Sequence, residues 1–429
     1  MPVKNLSEGF SLSINRFIKI EFGVLFLNTL KWLLLAGVLG SIVGSASALF
    51  LETLNLATNW RETHVWIIAF LPLAGLLIGL AYHYWGKEVV KGNNLLIEEL
   101  QSPKKVIPLV MAPLIFAGTI VTHLFGGSAG REGTAVQIGG AFADQFTKIF
   151  KLKPRDRKII LICGISAGFA SVFGTPLAGA IFGLEVFVMG SLMYNAILPS
   201  FITAVIADYV CKAWGVGHTH YAIGTVPEMN GINLLYCLAS GIIFGLVARS
   251  FSALNHALSN LFKKIKYPPL RPVVGGIILI AIIYLLGSTR YIGLGIPVIS
   301  ESFTNQQPYY TFVIKLFLTA LTLSAGFKGG EVTPLFFIGA TLGSFLSLFI
   351  PLPYGLLAGM GFVAVFSGAA NTPLACILMG IELFGAGSGV YIALACVTAY
   401  LFSGHTGIYH AQTVGSPKHL LLKRHSFLK

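Results

Sequence analysis

Charged residues are scarce in this sequence. They make up 10% of the 429 residues, while 55% are hydrophobic and the mean hydropathy is +0.80. So few charges cannot cover a water-soluble globular domain, which excludes a soluble enzyme or binding domain. The 29 basic residues outnumber the 16 acidic ones and gather in short stretches between apolar segments. That pattern is typical of the cytoplasmic loops of a membrane protein, and not of a surface that binds nucleic acid.

The chain also lacks the residue spacings of metal sites and disulfide frameworks. Its five cysteines form no CxxC pair and lie in apolar runs, so we interpret them as small buried hydrophobic residues. The histidines form no HExxH or comparable ligand spacing, and no nucleophile with a neighbouring base is apparent. We therefore expect no cofactor, no metal ion and no enzymatic activity, and a membrane enzyme or receptor is the weakest hypothesis.

Long apolar runs divide the chain into four parts. Residues 1–28 mix apolar and charged side chains without a small-residue cleavage site, which predicts an uncleaved helix at the inner membrane interface. We interpret residues 29–215 and 216–415 as two membrane repeats, and residues 416–429 as a cytoplasmic tail. Basic residues near both ends predict that both termini lie in the cytoplasm, in a multi-pass protein of the cell membrane.

The apolar segments differ in length. Residues 30–51 and 65–84 are long enough to cross a bilayer, and we predict a polar turn at 55–64 between them. Later segments, such as 158–173 and 176–192, are short for a full crossing. They predict tilted or half-crossing helices.

Two stretches of the chain repeat each other. Residues 175–185 read Thr-Pro-Leu-Ala-Gly-Ala-Ile-Phe-Gly-Leu-Glu, and residues 372–382 read Thr-Pro-Leu-Ala-Cys-Ile-Leu-Met-Gly-Ile-Glu, 197 positions later. Gly130 and Gly330 match at a spacing of 200, inside two glycine-rich stretches that each open a helix. Paired broken helices in two related halves indicate a transporter whose ion site lies near the membrane midplane. Parallel and inverted repeats both agree with this pattern.

The central candidate site is the stretch 126–140, Gly-Gly-Ser-Ala-Gly-Arg-Glu-Gly-Thr-Ala-Val-Gln-Ile-Gly-Gly. Its glycines allow a sharp turn within the membrane, and residues 134–146 have the composition of a helix that starts there. A helix N-terminus offers unpaired N–H groups and a positive dipole end, which together form an anion site. Glu132 precedes this start, so its ionised form could occupy the anion's place and its protonated form could leave it. The alternatives are a solvent-exposed loop and a simple pair between Glu132 and Arg131.

A second broken stretch, residues 329–334, reads Gly-Gly-Glu-Val-Thr-Pro. Glu331 could lie on a proton path or cap a helix. Thr333 could relay a proton or cap the helix that we expect to start at the proline. For Glu185 and Glu382, which end the repeated helices, contacts that hold loops or subunits are favoured over a direct role in transport.

Three further polar or aromatic positions have two interpretations each. Asn93 and Asn94 could donate amide hydrogen bonds to an anion, or cap a helix that starts at Leu95. The hydroxyl of Tyr409 could reach an anion, or the residue could belong to an interfacial aromatic belt. Phe336 is assigned to packing, although ring edges carry partial positive charge and could line an anion path.

Together these motifs resemble the signature of the CLC family of chloride channels and anion/proton antiporters. The resemblance rests on Gly-Arg-Glu-Gly-Thr with Val-Gln-Ile-Gly-Gly, the Gly-Gly-x-x-x-Pro element, both Pro-Leu-Ala repeats and the late tyrosine, in that order. It implies an all-α membrane protein built as an inverted repeat of tilted, broken and re-entrant helices, and a homodimer with one anion pathway per subunit. Glu132 would be the gating glutamate and proton carrier. The resemblance implies this set of anion-binding residues: Asn93, Asn94, Gly130, Arg131, Gly133, Thr134, Val332, Phe336 and Tyr409.

Three departures from the family pattern narrow the expected function. Chloride-selective members carry Gly-Ser-Gly-Ile-Pro where residues 92–96 read Gly-Asn-Asn-Leu-Leu, and a proline where this chain has Thr134. The internal proton-transfer glutamate of chloride antiporters would fall at Val186, so Glu331 with Thr333 becomes the candidate proton route. These features resemble the bacterial fluoride-exporting subfamily. We expect a fluoride/proton antiporter in the lipid bilayer, with chloride/proton antiport and a passive anion channel as alternatives.

Overall fold

The computed structural model describes residues 4–418, and it describes side chains at residue 23 and from residue 25 onward. This part of the chain is helical almost throughout, with one pair of two-residue parallel strands. The helices are α1 (Lys4–Thr63), α2 (Leu71–Tyr84), α3 (Asn93–Gln101), α4 (Met111–Leu124), α5 (Glu132–Ile149), α6 (Pro154–Phe173), α7 (Pro176–Glu185), α8 (Ile197–Ala213), α9 (Gly231–Lys263), α10 (Leu270–Leu286), α11 (Ile296–Glu301), α12 (Tyr309–Ser324), α13 (Val332–Leu346), α14 (Tyr354–Ala370), α15 (Pro373–Phe384) and α16 (Gly389–Phe402). Short 3-10 helices cover Val65–Phe70, Lys87–Val89, Tyr194–Ala196 and Ala386–Ser388, and the strands are β1 (Val188–Met189) and β2 (Thr413–Val414).

Helix α1 is longer than the sequence analysis predicted. It has no break at residue 28, where we placed the end of an interfacial helix, and it continues to Thr63 through the predicted turn at 55–64. The predicted turn is wrong because this stretch contains neither proline nor glycine. A contact distant in sequence also fixes the last helical turn, since Nη1 of Arg61 donates a hydrogen bond to the carbonyl of His123 at 2.9 Å.

Helix lengths agree with the predicted mixture of full and partial crossings. Shorter apolar helices of 10–17 residues occur repeatedly, below the roughly 20 residues of a straight crossing. The predicted break between α6 and α7 is present, and Gly174 ends α6 with a φ of 76°, a conformation that favours glycine. In the described residues, four stretches are helical, long and apolar enough to cross a membrane: Leu25–Thr63, Val65–Tyr84, Tyr194–Ala213 and Gly231–Lys263.

The repeated helices α7 and α15 cap each other. The carboxylate of Glu185, at the end of α7, accepts hydrogen bonds from two N–H groups in the first turn of α15, at 3.1 and 2.9 Å. Glu382, near the end of α15, accepts two from the first turn of α7, at 3.0 and 2.8 Å. Each helix therefore ends where the other begins, so the two run antiparallel and the repeat is inverted. These acids stabilise helix N-termini and do not hold loops, and the expected subunit contact stays a prediction.

A second reciprocal contact joins the two halves at their centre. The N–H of Gly130 donates to the carbonyl of Gly330 at 2.6 Å, and the N–H of Gly330 donates back at 2.8 Å. Beside this pair, the hydroxyls of Thr122 and Thr322 each accept a hydrogen bond from a backbone N–H of the other half, both at 3.2 Å. These contacts bring the first turns of α5 and α13 together.

Small residues allow both helices to lie inside the protein. A Cβ atom on Gly139 of α5 would lie 2.1 Å from the carbonyl oxygen of Gly164 in α6. At the matched position in α13, a Cβ on Gly339 would lie 2.0 Å from the carbonyl oxygen of Gly361 in α14. Such close backbone packing is typical of membrane helices. It keeps the two helix starts within protein, where irregular backbone is tolerated.

Candidate functional site

Glu132 is the first residue of α5, two residues before the predicted helix start, and its side chain is 0% exposed. Its carboxylate contacts the first turn of α13. The N–H of Thr333 donates to Oε2 at 3.0 Å, and Oγ1 of Thr333 lies 2.6 Å from Oε2 and 2.7 Å from Oε1. The carboxylate therefore occupies the place that an anion would take at the N-terminus of α13.

Arg131 lies beside Glu132 but is not its closest partner. The Nε atom of Arg131 is 3.7 Å from Oε1 of Glu132, and this buried atom makes no hydrogen bond within the described residues. The shorter contacts go to Thr333, so the alternative in which Glu132 only pairs with Arg131 is wrong. A solvent-exposed loop is also wrong, because residues 126–130 are buried.

The hydroxyl of Thr333 connects the two halves instead of capping its own helix. Helix α13 begins at Val332, with Glu331 at the N-cap position, and no side chain caps it by a hydrogen bond. The predicted start at the proline and the capping roles of Glu331 and Thr333 are therefore wrong. The hydroxyl of Thr134, in α5, lies 2.7 Å from that of Thr119 in α4. Of these two site threonines, Thr333 is the one that contacts the carboxylate of Glu132.

The backbone near Glu132 combines close packing with available donors. A Cβ on Gly133 would lie 3.0 Å from both Nδ2 of Asn93 and Cα of Gly330, so a side chain here would displace its neighbours. The N–H groups of Gly133 and Val332 donate to no other residue in the part of the chain that the structure describes. Gly130 differs, because its N–H and its carbonyl are both bonded to Gly330. Its expected role as an anion donor is therefore wrong, and it joins the halves instead.

Four predicted residues meet at one cavity. Asn93, Asn94, Glu331 and Tyr409 line a space of about 600 Å³, which we call the vestibule. Lys263, the last residue of α9, lines the same space. The vestibule therefore brings the candidate residues of both halves to one entrance.

Asn93 and Asn94 form the first turn of α3, which starts two residues before the predicted Leu95. The N-cap residue is Gly92, with a φ of 57°, and no side-chain capping bond is present, so the capping interpretation is wrong. Oδ1 of Asn93 is buried without a partner among the described residues. Oδ1 of Asn94 accepts a hydrogen bond from the N–H of Ala411 at 2.9 Å. Asn93 thus retains a free polar atom at the site, whereas Asn94 ties α3 to the segment after α16.

The two aromatic candidates lie in different surroundings. Tyr409 is 6% exposed and lines the vestibule, so an interfacial belt position is wrong. Phe336 is 0% exposed and stacks on Phe362, with ring centroids 4.1 Å apart, and its ring meets Phe173 at 4.9 Å. Phe336 therefore packs between neighbouring rings, and its lining of an anion path stays a prediction.

Sequence reasoning missed two residues of the vestibule. Gln137 is 5% exposed, and its amide lies 3.1 to 3.2 Å from the position of a Cβ on Gly92. Lys328 lines the cavity next to Tyr82. Each carried a signal, because Gln137 is polar in an apolar run and Lys328 directly precedes the glycines of the second broken stretch.

An inverted pair of helical halves, joined where a buried carboxylate meets a helix N-terminus, defines a membrane ion transporter. Comparison with known proteins gives the family. The model of the voltage-gated chloride channel family matches residues 74–404, and the chain belongs to this family, the CLC proteins.

Proteins similar to this chain support its assignment as an anion/proton antiporter. A chloride/fluoride channel protein of Pseudomonas syringae pv. tomato is 54% identical over 396 residues, covering 91% of this chain and 88% of the relative. An H(+)/Cl(-) exchange transporter of Vibrio cholerae is 28% identical over 408 residues, covering 86% and 84%. The crystal structure of a CLC-type fluoride/proton antiporter matches with a TM-score of 0.87 and 36% identity, over 90% of this chain and 98% of that one. The chain is a CLC-family transporter, and its family carries out transport and not catalysis.

Proposed function

We propose that this protein is a fluoride/proton antiporter that exports fluoride from the cytoplasm across the cell membrane. The observation that carries the proposal is the contact of Glu132 with both the N–H and the hydroxyl of Thr333. An ionised carboxylate occupies the helix N-terminus that an anion would otherwise occupy. When Glu132 is protonated its charge is lost, and this helix start becomes available to fluoride.

The proton route extends from Glu132 toward the vestibule. Glu331 lines the vestibule, and the hydroxyl of Thr333 contacts Glu132. A proton taken up by Glu132 from outside would pass along the Thr333 hydroxyl to Glu331 and then to the cytoplasm. This route replaces the internal glutamate that is absent at Val186. Fluoride moves the opposite way, and leaves when the carboxylate returns.

Three groups would bind the anion when Glu132 leaves. The N–H groups of Gly133 and Val332 lie at the two helix starts, and the amide of Asn93 reaches the same place. Small anions require close donors. We favour fluoride as the substrate for two reasons. The relative at 54% identity is described as a chloride/fluoride channel protein, and the neighbour at a TM-score of 0.87 is described as a fluoride/proton antiporter. Chloride is the alternative substrate.

The surface supports a homodimer within a lipid bilayer. Leu177 on α7 and Leu374 on α15 are 42% and 45% exposed, and Val205 on α8 and Val397 on α16 are also exposed. Apolar side chains left exposed on one side of a membrane protein face lipid or another copy of the chain. In this arrangement the basic loop at 148–158 and both termini lie in the cytoplasm.

Flux measurements in proteoliposomes test the proposal. Vesicles loaded with fluoride should take up protons as fluoride leaves, and Glu132→Gln, which removes the titratable group, should exchange neither ion. Glu88→Gln serves as the control, because Glu88 is an exposed acid. Fluoride efflux that moves no protons and continues in Glu132→Gln would identify a passive channel instead. Faster chloride than fluoride exchange would change the substrate.

A further inference from the structure

Lys328 is held by two helices, α2 and α4, at the edge of the vestibule. Its side chain passes Gly118 in α4, where a Cβ atom would lie 2.9 Å from Cγ of the lysine. Its Nζ lies 3.9 Å from the ring centre of Tyr82 in α2, and its backbone N–H donates to Oγ1 of Thr122 at 3.2 Å. Both Tyr82 and Lys328 line the vestibule. The ammonium group is therefore placed at a defined point of the cavity.

No carboxylate neutralises this ammonium group. Among the described residues Lys328 forms no ion pair, whereas Lys91 in the same cavity pairs with Glu98 at 2.7 Å. An unpaired cation is costly inside a membrane protein and usually marks an ion pathway. A cation–π contact with Tyr82 recovers only part of this cost. The group is thus oriented by an aromatic ring and left available to an anion.

The whole vestibule has an excess of positive charge. Lys91, Lys263, Arg271 and Lys328 line it, against Glu98 and Glu331 as its acidic residues in the described chain, an excess of two positive charges. A cavity with a net charge of one sign concentrates ions of the opposite sign.

Lys328 is connected to the central site through the main chain. It lies two residues before Gly330, which is bonded through its main chain to Gly130 beside Glu132. An anion attracted to its ammonium group would therefore be close to the first turn of α13.

We infer that Lys328 recruits the transported anion from the vestibule and delivers it to the donors at the start of α13. The inference rests on the proposed function, because it assigns the entry step of that transport to one residue. The compact charge of an ammonium group attracts a small, strongly hydrated anion. The ring of Tyr82 holds that charge in position without neutralising it.

Lys328→Met tests this role, because methionine keeps an unbranched side chain beside Gly118 and removes the charge. Initial fluoride efflux from proteoliposomes is measured against fluoride concentration at low ionic strength. We expect the half-saturating fluoride concentration to rise about tenfold, as for the loss of one partly solvated unit charge, with an unchanged ratio of protons to fluoride. The difference should shrink in about 0.5 M impermeant salt, because screening weakens the attraction.

Three further variants separate charge from packing. Lys328→Arg retains the charge and can stack on Tyr82, so its half-saturating concentration should stay near the wild-type value. Gly118→Ala places a methyl group where the lysine side chain lies, and should raise the half-saturating concentration in the same direction as Lys328→Met. Arg290→Gln removes an exposed charge that is already paired with Glu301 and does not line the vestibule, and should change the value by less than about twofold.

The outcomes distinguish this inference from the proposed function. A wild-type half-saturating concentration in Lys328→Met would overturn the role of Lys328, even if the variant melted at a lower temperature. A wild-type protein that moves fluoride without protons would overturn the exchange mechanism but not this test, since half-saturation is obtained from anion flux alone. If only chloride moved, the same titration with chloride would decide the role of the lysine.

Discussion

Replacing Thr333 by valine should loosen the contact that keeps Glu132 at the proposed anion site. Valine has nearly the same shape but lacks the hydroxyl, which lies 2.6 and 2.7 Å from the two carboxylate oxygens. The N–H contact of residue 333 at 3.0 Å would remain. A hydrogen bond to a charged group contributes about 1.5–3 kcal/mol, and about 1.4 kcal/mol corresponds to a factor of ten. The carboxylate should therefore compete at least about tenfold less well with fluoride.

The expected phenotype of Thr333→Val has two parts. The half-saturating fluoride concentration should fall about tenfold, because the ionised carboxylate blocks the site less effectively. The number of protons moved per fluoride should also fall, because the proposed relay hydroxyl is gone. A fluoride electrode and a pH electrode in the same vesicle suspension measure both quantities.

Two controls make this test specific. Thr333→Ser keeps the hydroxyl and should behave like the wild type. Thr341→Val removes a buried hydroxyl from the same helix that bonds the carbonyl of Phe337 at 2.7 Å, and should change neither quantity. Wild-type half-saturation and coupling in Thr333→Val would refute the reasoning, because the observed contact would then not govern competition for the site.

Two further predictions concern stability. Glu185→Gln weakens the capping of α15 and should lower the free energy of unfolding by about 1–2 kcal/mol in detergent melts without altering coupling; Glu301→Gln, at an exposed ion pair, should change it by less than about 1 kcal/mol. Equal effects of the two variants would contradict the capping role. Gly339→Ala places a Cβ 2.0 Å from a backbone carbonyl oxygen of Gly361 and should cost about 3 kcal/mol or prevent folding, whereas Gly387→Ala, with nothing within 4 Å, should be tolerated. A stable Gly339→Ala protein would show that α13 and α14 can separate.

Local features of the chain were predictable, and long-range ones were not. The repeat at 175–185 and 372–382 predicted helices α7 and α15, because a proline starts each of them and this is a local effect. The length of α1 was not predictable. Its last turn depends on the contact of Arg61 with His123, 62 positions away in the sequence.

The motif residues of the candidate site could be selected from the sequence, but the residues that they contact could not. Glu132, Glu331 and Asn93 could be selected because acids and amides are rare in apolar runs. The partner of Glu132 is Thr333, which lies 201 positions away and becomes its neighbour only when the two halves pair. Lys328 was missed for the same reason, because the residues that contact its side chain lie in two other helices, α2 and α4.

Gly130 and Gly330 are bonded to each other in both directions, at the level of the proposed anion site. A transporter that rocks one half against the other needs a seam that opens at this level. Here the seam is closed by main-chain hydrogen bonds, which do not depend on the conformation of the neighbouring side chains. We therefore expect side-chain movements, and not movements of whole helices, to switch access from one face of the membrane to the other. Such a transport cycle would displace little lipid.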